Sequence, residues 1–153
     1  MDMQAVINNI DSLIQLDFDA AQCYDEALKQ IDFPSVRFKV KQFRDDHYRH
    51  INNLSALVKK LRGEPVMPSR NASGVLIDGF LTLRSQIGIE GALKVLESIE
   101  RTTNRHYQDA LSKGFPIDIT PQIVKNYSNE KLHIEYIQKT IKIRRWESGE
   151  KAA

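Results

Sequence analysis

The octet YSNEKLHI, Tyr127 to Ile134, sets two ionisable residues, Glu130 and His133, three apart in a row of apolar positions: Ile123, Tyr127, Ile134, Ile137 and Ile141. Steps of three and four place such residues on one face of a helix, so a carboxylate and an imidazole take positions that packing reserves for apolar side chains. The octet RDDHYRHI, Arg44 to Ile51, stands 83 residues earlier, counted from His50 to His133, and has His47 where the later one has Glu130. The same offset aligns Ile51 with Ile134 and Lys59 with Lys142. Further back it aligns Leu13 with Leu96, Tyr24 with Tyr107, Ala27 with Ala110 and Leu28 with Leu111. The chain therefore reads as two copies of one helical hairpin.

Apolar residues from Val6, Ile7 and Ile10 through Ile14, Ala21, Tyr24 and Leu28 to Ile31 predict a first helix. Pro34 opens a second, with Val36, Val40, Phe43, Ile51, Leu54, Leu57, Val58 and Leu61 as its stripe and Gly63 at its end. Gly63 to Gly74 holds turn residues, and Val75 to Gln86 predicts a minor helix weakened by Gly79. A third long helix spans Ile89 to Ser112, with Leu93, Leu96, Tyr107, Ala110 and Leu111 inward, and Gly114-Phe115-Pro116 stops it. Thr120-Pro121 predicts an N-cap and first-turn proline for the fourth. The fold class is all-α: an antiparallel four-helix bundle of two repeated hairpins, with a long crossover between the second and third long helices that contains a short helix. One bundle domain is expected over residues 1–146, with a polar tail over 147–153.

Composition narrows the function. With 153 residues the chain buries enough surface to fold without a disulfide or structural metal, so a metal site must be argued from its own ligands. The single cysteine, Cys23, removes disulfide frameworks and four-cysteine metal knuckles and fits a reducing, cytoplasmic compartment. Neither a signal peptide nor a membrane span is expected. A net charge of +2 leaves no broad footprint for nucleic acid, and the cluster Lys139, Lys142, Arg144 and Arg145 is read as complementing a helix dipole.

Asp17 interrupts the first stripe between Ile14 and Ala21, and Glu100 is its equivalent in the third helix. With His47, His50, Glu130 and His133 they make six ionisable groups aimed at the bundle interior. Burial of such groups costs several kcal/mol each unless compensated. They compensate one another in a closed hydrogen-bonded network, or a cation does so, and mixed oxygen and imidazole donors suit iron, manganese or zinc. Tyr24 and Tyr107 are either hydrogen-bond partners of the carboxylates, redox-active phenols, or core residues with satisfied hydroxyls. Asp45 and Asp46 point off the stripe and read as a solvated face. Glu97 reads as an extra carboxylate ligand or a surface residue. Cys23 carries no assigned chemistry, and Trp146 reads as a terminal anchor.

A Glu-x-x-His on one helix, a carboxylate on its hairpin partner and a tyrosine seven residues beyond that carboxylate resemble the ferritin-like di-iron carboxylate superfamily, in the rubrerythrin and bacterioferritin style. The resemblance covers about residues 5 to 145 and implies two metal ions held between the hairpins and reacting with dioxygen or peroxide. It implies Asp17 and Glu100 as terminal carboxylates, Glu130 as a bridge, and His50 and His133 as imidazole ligands. Two departures stand in the first hairpin: Asp17 is a methylene shorter than glutamate, and His47 replaces the second bridge. Three outcomes follow: a dinuclear site bridged by Glu130 alone, a single ion held mainly by the second hairpin, or a relict site. One cysteine excludes a rubredoxin-like module. The lack of methionine between Pro34 and Arg62 argues for no haem, and the tail over 147–153 is short for the fifth helix of an iron-storage shell.

The expected function is metal binding, with iron as one or two ions, manganese or zinc as alternatives, and oxidase or peroxidase chemistry. The rival is a metal-free interaction bundle whose polar core fixes register. A homo-oligomer, most simply a dimer, is expected, with no nucleic-acid or membrane partner, and the sequence names no electron donor.

Overall fold

The computed structural model describes residues 2–70, 76–85 and 88–148. Five α-helices follow one another: α1 Met3–Leu28, α2 Pro34–Lys60, α3 Ile77–Ser85, α4 Ile89–Ser112 and α5 Thr120–Ile143, with a 3-10 turn at Arg145–Glu147. No strand occurs among the described residues. Short turns join α1 to α2 and α4 to α5 into hairpins, α1 packs on α4 and α2 on α5, and α3 lies against α1 and α4. Tyr24 meets Glu100 while Tyr107 meets Asp17, so α1 and α4 run antiparallel.

Each end has a local cause. Asp2 caps α1 by accepting the Ala5 amide at 2.8 Å. Pro34 fits the first turn of α2, and Arg37 closes the preceding turn by donating to the carbonyls of Ile31, at 3.0 Å, and Leu28. Arg62, at φ 65°, takes the left-handed turn after α2. Gly63 serves a different need: a Cβ there would lie 2.8 Å from Ile7 Cδ1. Gly79 likewise allows close packing, since its Cβ would approach Ile99 Cγ1 to 3.1 Å, so the helix passes through a residue expected to weaken it. Of the expected minor helix, Val75 and Gln86 lie outside the described residues, as does the tail from residue 149.

Two expectations need correction. Thr120 does not cap α5: it is the first helical residue, and its hydroxyl donates backward to the Pro116 or Phe115 carbonyl, at 2.9 and 3.2 Å. The buried face of α5 is also rotated by about one residue, running Ile123, Asn126, Glu130, His133, Ile137 and Thr140, while Tyr127, Ile134 and Ile141 are only partly buried. The ionisable pair, not the apolar stripe, marks the centre of that face.

The core runs the length of the bundle through Ile10, Ile14, Leu54, Leu93, Leu96, Ile123 and Ile137. Trp146 packs on it from the 3-10 turn, as expected of an anchor. No helix among the described residues is long and apolar enough to cross a membrane.

Leu13 and Leu96, equivalent in the repeat, are both buried. Each Leu→Ala change is expected to cost about 2–5 kcal/mol by urea denaturation.

Candidate metal centre

Midway along the bundle, α1 contributes Asp17, α2 contributes His47 and His50, α4 contributes Glu100, and α5 contributes Glu130 and His133. All six are buried. Their helices satisfy their own backbones at these positions, so every unmet polar atom belongs to a side chain and must find a partner across the bundle.

The structure brings the six together. His47 Nδ1 lies 2.7 Å from Asp17 Oδ1 and its Nε2 3.0 Å from Glu100 Oε1, so the ring spans the two carboxylates. His50 Nδ1 lies 3.2 Å from both Asp17 Oδ1 and Glu130 Oε1. His133 Nδ1 lies 3.2 Å from Glu100 Oε1 and 3.4 Å from Glu130 Oε2. Two overlapping sets emerge: Asp17, His47, His50 and Glu130, and His47, Glu100, Glu130 and His133, in each of which one donor atom per residue lies within 4.8 Å of the others. His47 and Glu130 are common to both, while Asp17 with His50 and Glu100 with His133 distinguish the halves.

A layer of partners surrounds the cluster. Tyr24 donates to Glu100 at 2.5 Å and Tyr107 to Asp17 at 2.6 Å, so each tyrosine serves the carboxylate of the other hairpin. The outward nitrogens also cross over: His50 Nε2 meets Asn129 Oδ1 at 3.0 Å, and His133 Nε2 meets Asp46 Oδ2 at 2.8 Å. Arg49 joins these two at the surface, 2.8 Å from Asp46 and 3.2 Å from Asn129. Thr103 lies 3.0 Å from Glu100 Oε2, Asn126 donates to Tyr107 at 3.4 Å, and Phe43 stacks on His133 at 4.3 Å.

Electrostatics follow from that crowding. Burial alone would raise the Asp17 and Glu100 carboxyls, but imidazoles override it, chiefly His50 at Asp17 and His133 at Glu100, and hold both well below the ordinary carboxylate range. Burial alone would lower the histidines, yet the carboxylates, led by Glu130 at His47 and Asp17 at His50, raise His47 to about 10 and His50 to about 9. Burial pushes Glu130 upward, helped by Glu100 and opposed by the imidazoles, of which His47 is foremost. Metal-free, the imidazoles and the carboxyls offset one another's burial.

A cation is the other counter-charge the cluster can take. His50 and His133 turn Nδ1 inward and hold Nε2 on an outer acceptor, the arrangement that fixes a ligating imidazole's tautomer and direction. The donor chemistry, oxygen with imidazole nitrogen, suits a first-row transition ion, so these residues fit a metal. A groove lined by Phe43, Asp46, Arg49, Asn129, His133 and Tyr136 lies over the α2–α5 face of the centre.

The remaining sequence candidates sort differently. Asp45 is exposed beside Arg44, as expected. Asp46 is a correction, because it is an outer partner of His133 and not part of a solvated face. Glu97 pairs with Arg101 at 3.1 Å and belongs to neither donor set. Cys23 is buried, its sulfur 3.8 Å from the Leu76 carbonyl, and burial, reinforced by Asp19 and Glu26, pushes its thiol up to about 12. Asn129, Thr103 and Asn126 were not singled out from the sequence. The 83-residue offset pairs Asn129 with Asp46 and was the signal available for it.

The shifts set a pH dependence for the metal-free protein. The raised histidines give full stabilisation below their unfolded pKa of 6.5, and it is lost as pH rises through about 9 and 10. The depressed carboxyls of Asp17 and Glu100 stabilise above their unfolded values of 3.8 and 4.5, and this is lost in acid. Raised Glu130 opposes folding above 4.5, a smaller effect of opposite sign. The urea midpoint of chelator-treated protein is therefore expected to peak near about pH 5–6.5 and to fall steadily toward pH 10. A midpoint that instead rises from about pH 6 to 7.5 and then stays level to pH 10 would show that the histidines are neutral in the fold.

Among solved structures the fold is similar to one titled "Crystal structure of ferritin like, diiron-carboxylate proteins from Bacillus anthracis str. Ames", with a TM-score of 0.68 over 92% of this chain and 99% of that one at 15% identity. That likeness establishes a ferritin-like bundle. Among curated relatives, the uncharacterized protein YhjR of Bacillus subtilis (strain 168) is 29% identical over 65 residues, which span 42% of this chain and 45% of that protein. Residues 5–113, more than half of the chain, match a family described as a domain of unknown function, DUF2383, and the chain belongs to that family.

Proposed function

We propose that the bundle binds one or two transition-metal ions, iron before manganese or zinc, at the centre formed by Asp17, His47, His50, Glu100, Glu130 and His133. The observation that carries this reading is the pair of overlapping, fully buried donor sets. The structural neighbour described as a diiron-carboxylate protein supports iron as the first ion to test.

A metal bound there would supply one-electron chemistry toward dioxygen or peroxide, which points to a ferroxidase or peroxidase type of activity. The chain's part is positional. Asn129 and Asp46 aim the two imidazoles, Tyr24 and Tyr107 donate protons to carboxylate oxygens 2.5 and 2.6 Å from their hydroxyl oxygens, and apolar layers bury the cluster from above and below. The single cysteine and its buried, unreactive thiol accord with a reducing compartment.

The second reading, a metal-free bundle whose polar core fixes register, has its own support, since each of the six groups already finds a partner inside the cluster. Melting separates the two. A metal that binds the native state adds about 2.7 kcal/mol at a hundredfold excess over its dissociation constant. Anaerobic Fe(II) is thus expected to raise the melting temperature by several degrees, to remain after desalting near one or two ions per chain, and to give oxo-to-iron absorption on exposure to air. Unchanged melting and no retained metal would favour the metal-free bundle. Glu130→Ala should abolish the metal-induced shift.

A further inference from the structure

The two halves of the centre are related by the repeat but are not chemically equal. The outer acceptor for His133 is a carboxylate, Asp46 at 2.8 Å, whereas the outer acceptor for His50 is an amide, Asn129 at 3.0 Å. A carboxylate that accepts the outer N–H makes the inward nitrogen a stronger donor than an amide does. Each half has two carboxylates, Glu100 or Asp17 with shared Glu130, and only the His133 half has a third behind it, Asp46, whose other oxygen is held by Arg49 at 2.8 Å.

His47 sharpens the difference. It stands where a second bridging carboxylate would serve both halves, but a neutral imidazole has one lone pair. Its Nε2 lies 3.0 Å from Glu100 and its Nδ1 2.7 Å from Asp17. With Nε2 given to an ion beside Glu100, the proton on Nδ1 is donated to Asp17 and occupies the other half. A second ion must do without His47 or remove that proton.

We infer that the Glu100–His133 half takes the first ion, completed by Glu130 and His47, and that the Asp17–His50 half fills second and at least about ten-fold more weakly. This rests on the metal-centre reading and adds to it an order and a cause.

The test is a Co(II) titration of the chelator-treated full chain, followed by calorimetry and visible absorption. Two steps are expected, one ion per chain binding at least about ten-fold tighter than the next. Asp46→Asn should weaken the tight step by about 10- to 100-fold and leave the weak one nearly unchanged. Asn129→Asp should strengthen the weak step, and His47→Glu should bring the two steps together; metal-free melting of each variant reports that the fold is kept. Two equal steps in the wild-type chain, or an Asp46→Asn change that spares the tight step, would overturn the order while leaving the metal centre standing. Failure to take up any ion would remove both.

Discussion

Six ionisable side chains share one buried region between two hairpins, and the rest of the molecule is arranged around making that tolerable. Carboxylates and imidazoles taken out of water lose several kcal/mol each of hydration, which only close opposite charge and well-directed hydrogen bonds restore. Here each carboxylate is reached by at least two imidazole nitrogens, and each imidazole by at least two carboxylates. Such a cluster dictates helix register, because a slip of one residue in any of the four long helices would leave a buried charge alone.

The repeat explains how so demanding a set is held. Each hairpin supplies one half, and the partners cross between hairpins: Tyr24 to Glu100, Tyr107 to Asp17, His50 to Asn129 and His133 to Asp46. These links join the two hairpins at the middle of the apolar core they already share. Divergence between the copies is concentrated there too. Asp17 faces the role of Glu100 with a shorter arm, His47 replaces a carboxylate, and Thr103 and Asn126 stand where the first hairpin has Ala20 and Phe43. Within the two donor sets the first copy carries one carboxylate, Asp17, and the second carries two, Glu100 and Glu130, while surface Arg49 ties the outer acceptors of both.

Much of this was legible in the sequence because helical period and repeat offset are both one-dimensional signals. The four long helices, the short crossover helix and the convergence of Asp17, His47, His50, Glu100, Glu130 and His133 follow from spacing alone. The resemblance to ferritin-like proteins anticipated the fold. What spacing missed depends on how wide the buried arc of each helix is. Asp46 is one residue off the stripe of α2, but α2 packs on α1 and α5 at once, and the second contact carries Asp46 to His133. Thr120 looked like a cap because threonine before proline often is one, whereas its hydroxyl turns back to the preceding turn. Cys23 sits off the main stripe and is buried because the crossover at Leu76 covers it, a long-range contact that local periodicity does not encode.

The most direct test of the central claim is anomalous X-ray diffraction at the iron edge from crystals of Fe(II)-reconstituted protein. The account predicts a peak inside the bundle, within coordination distance of His133 Nδ1 and of oxygens of Glu100 and Glu130. A bundle in which those side chains keep their mutual hydrogen bonds, with no anomalous density between them, would contradict it.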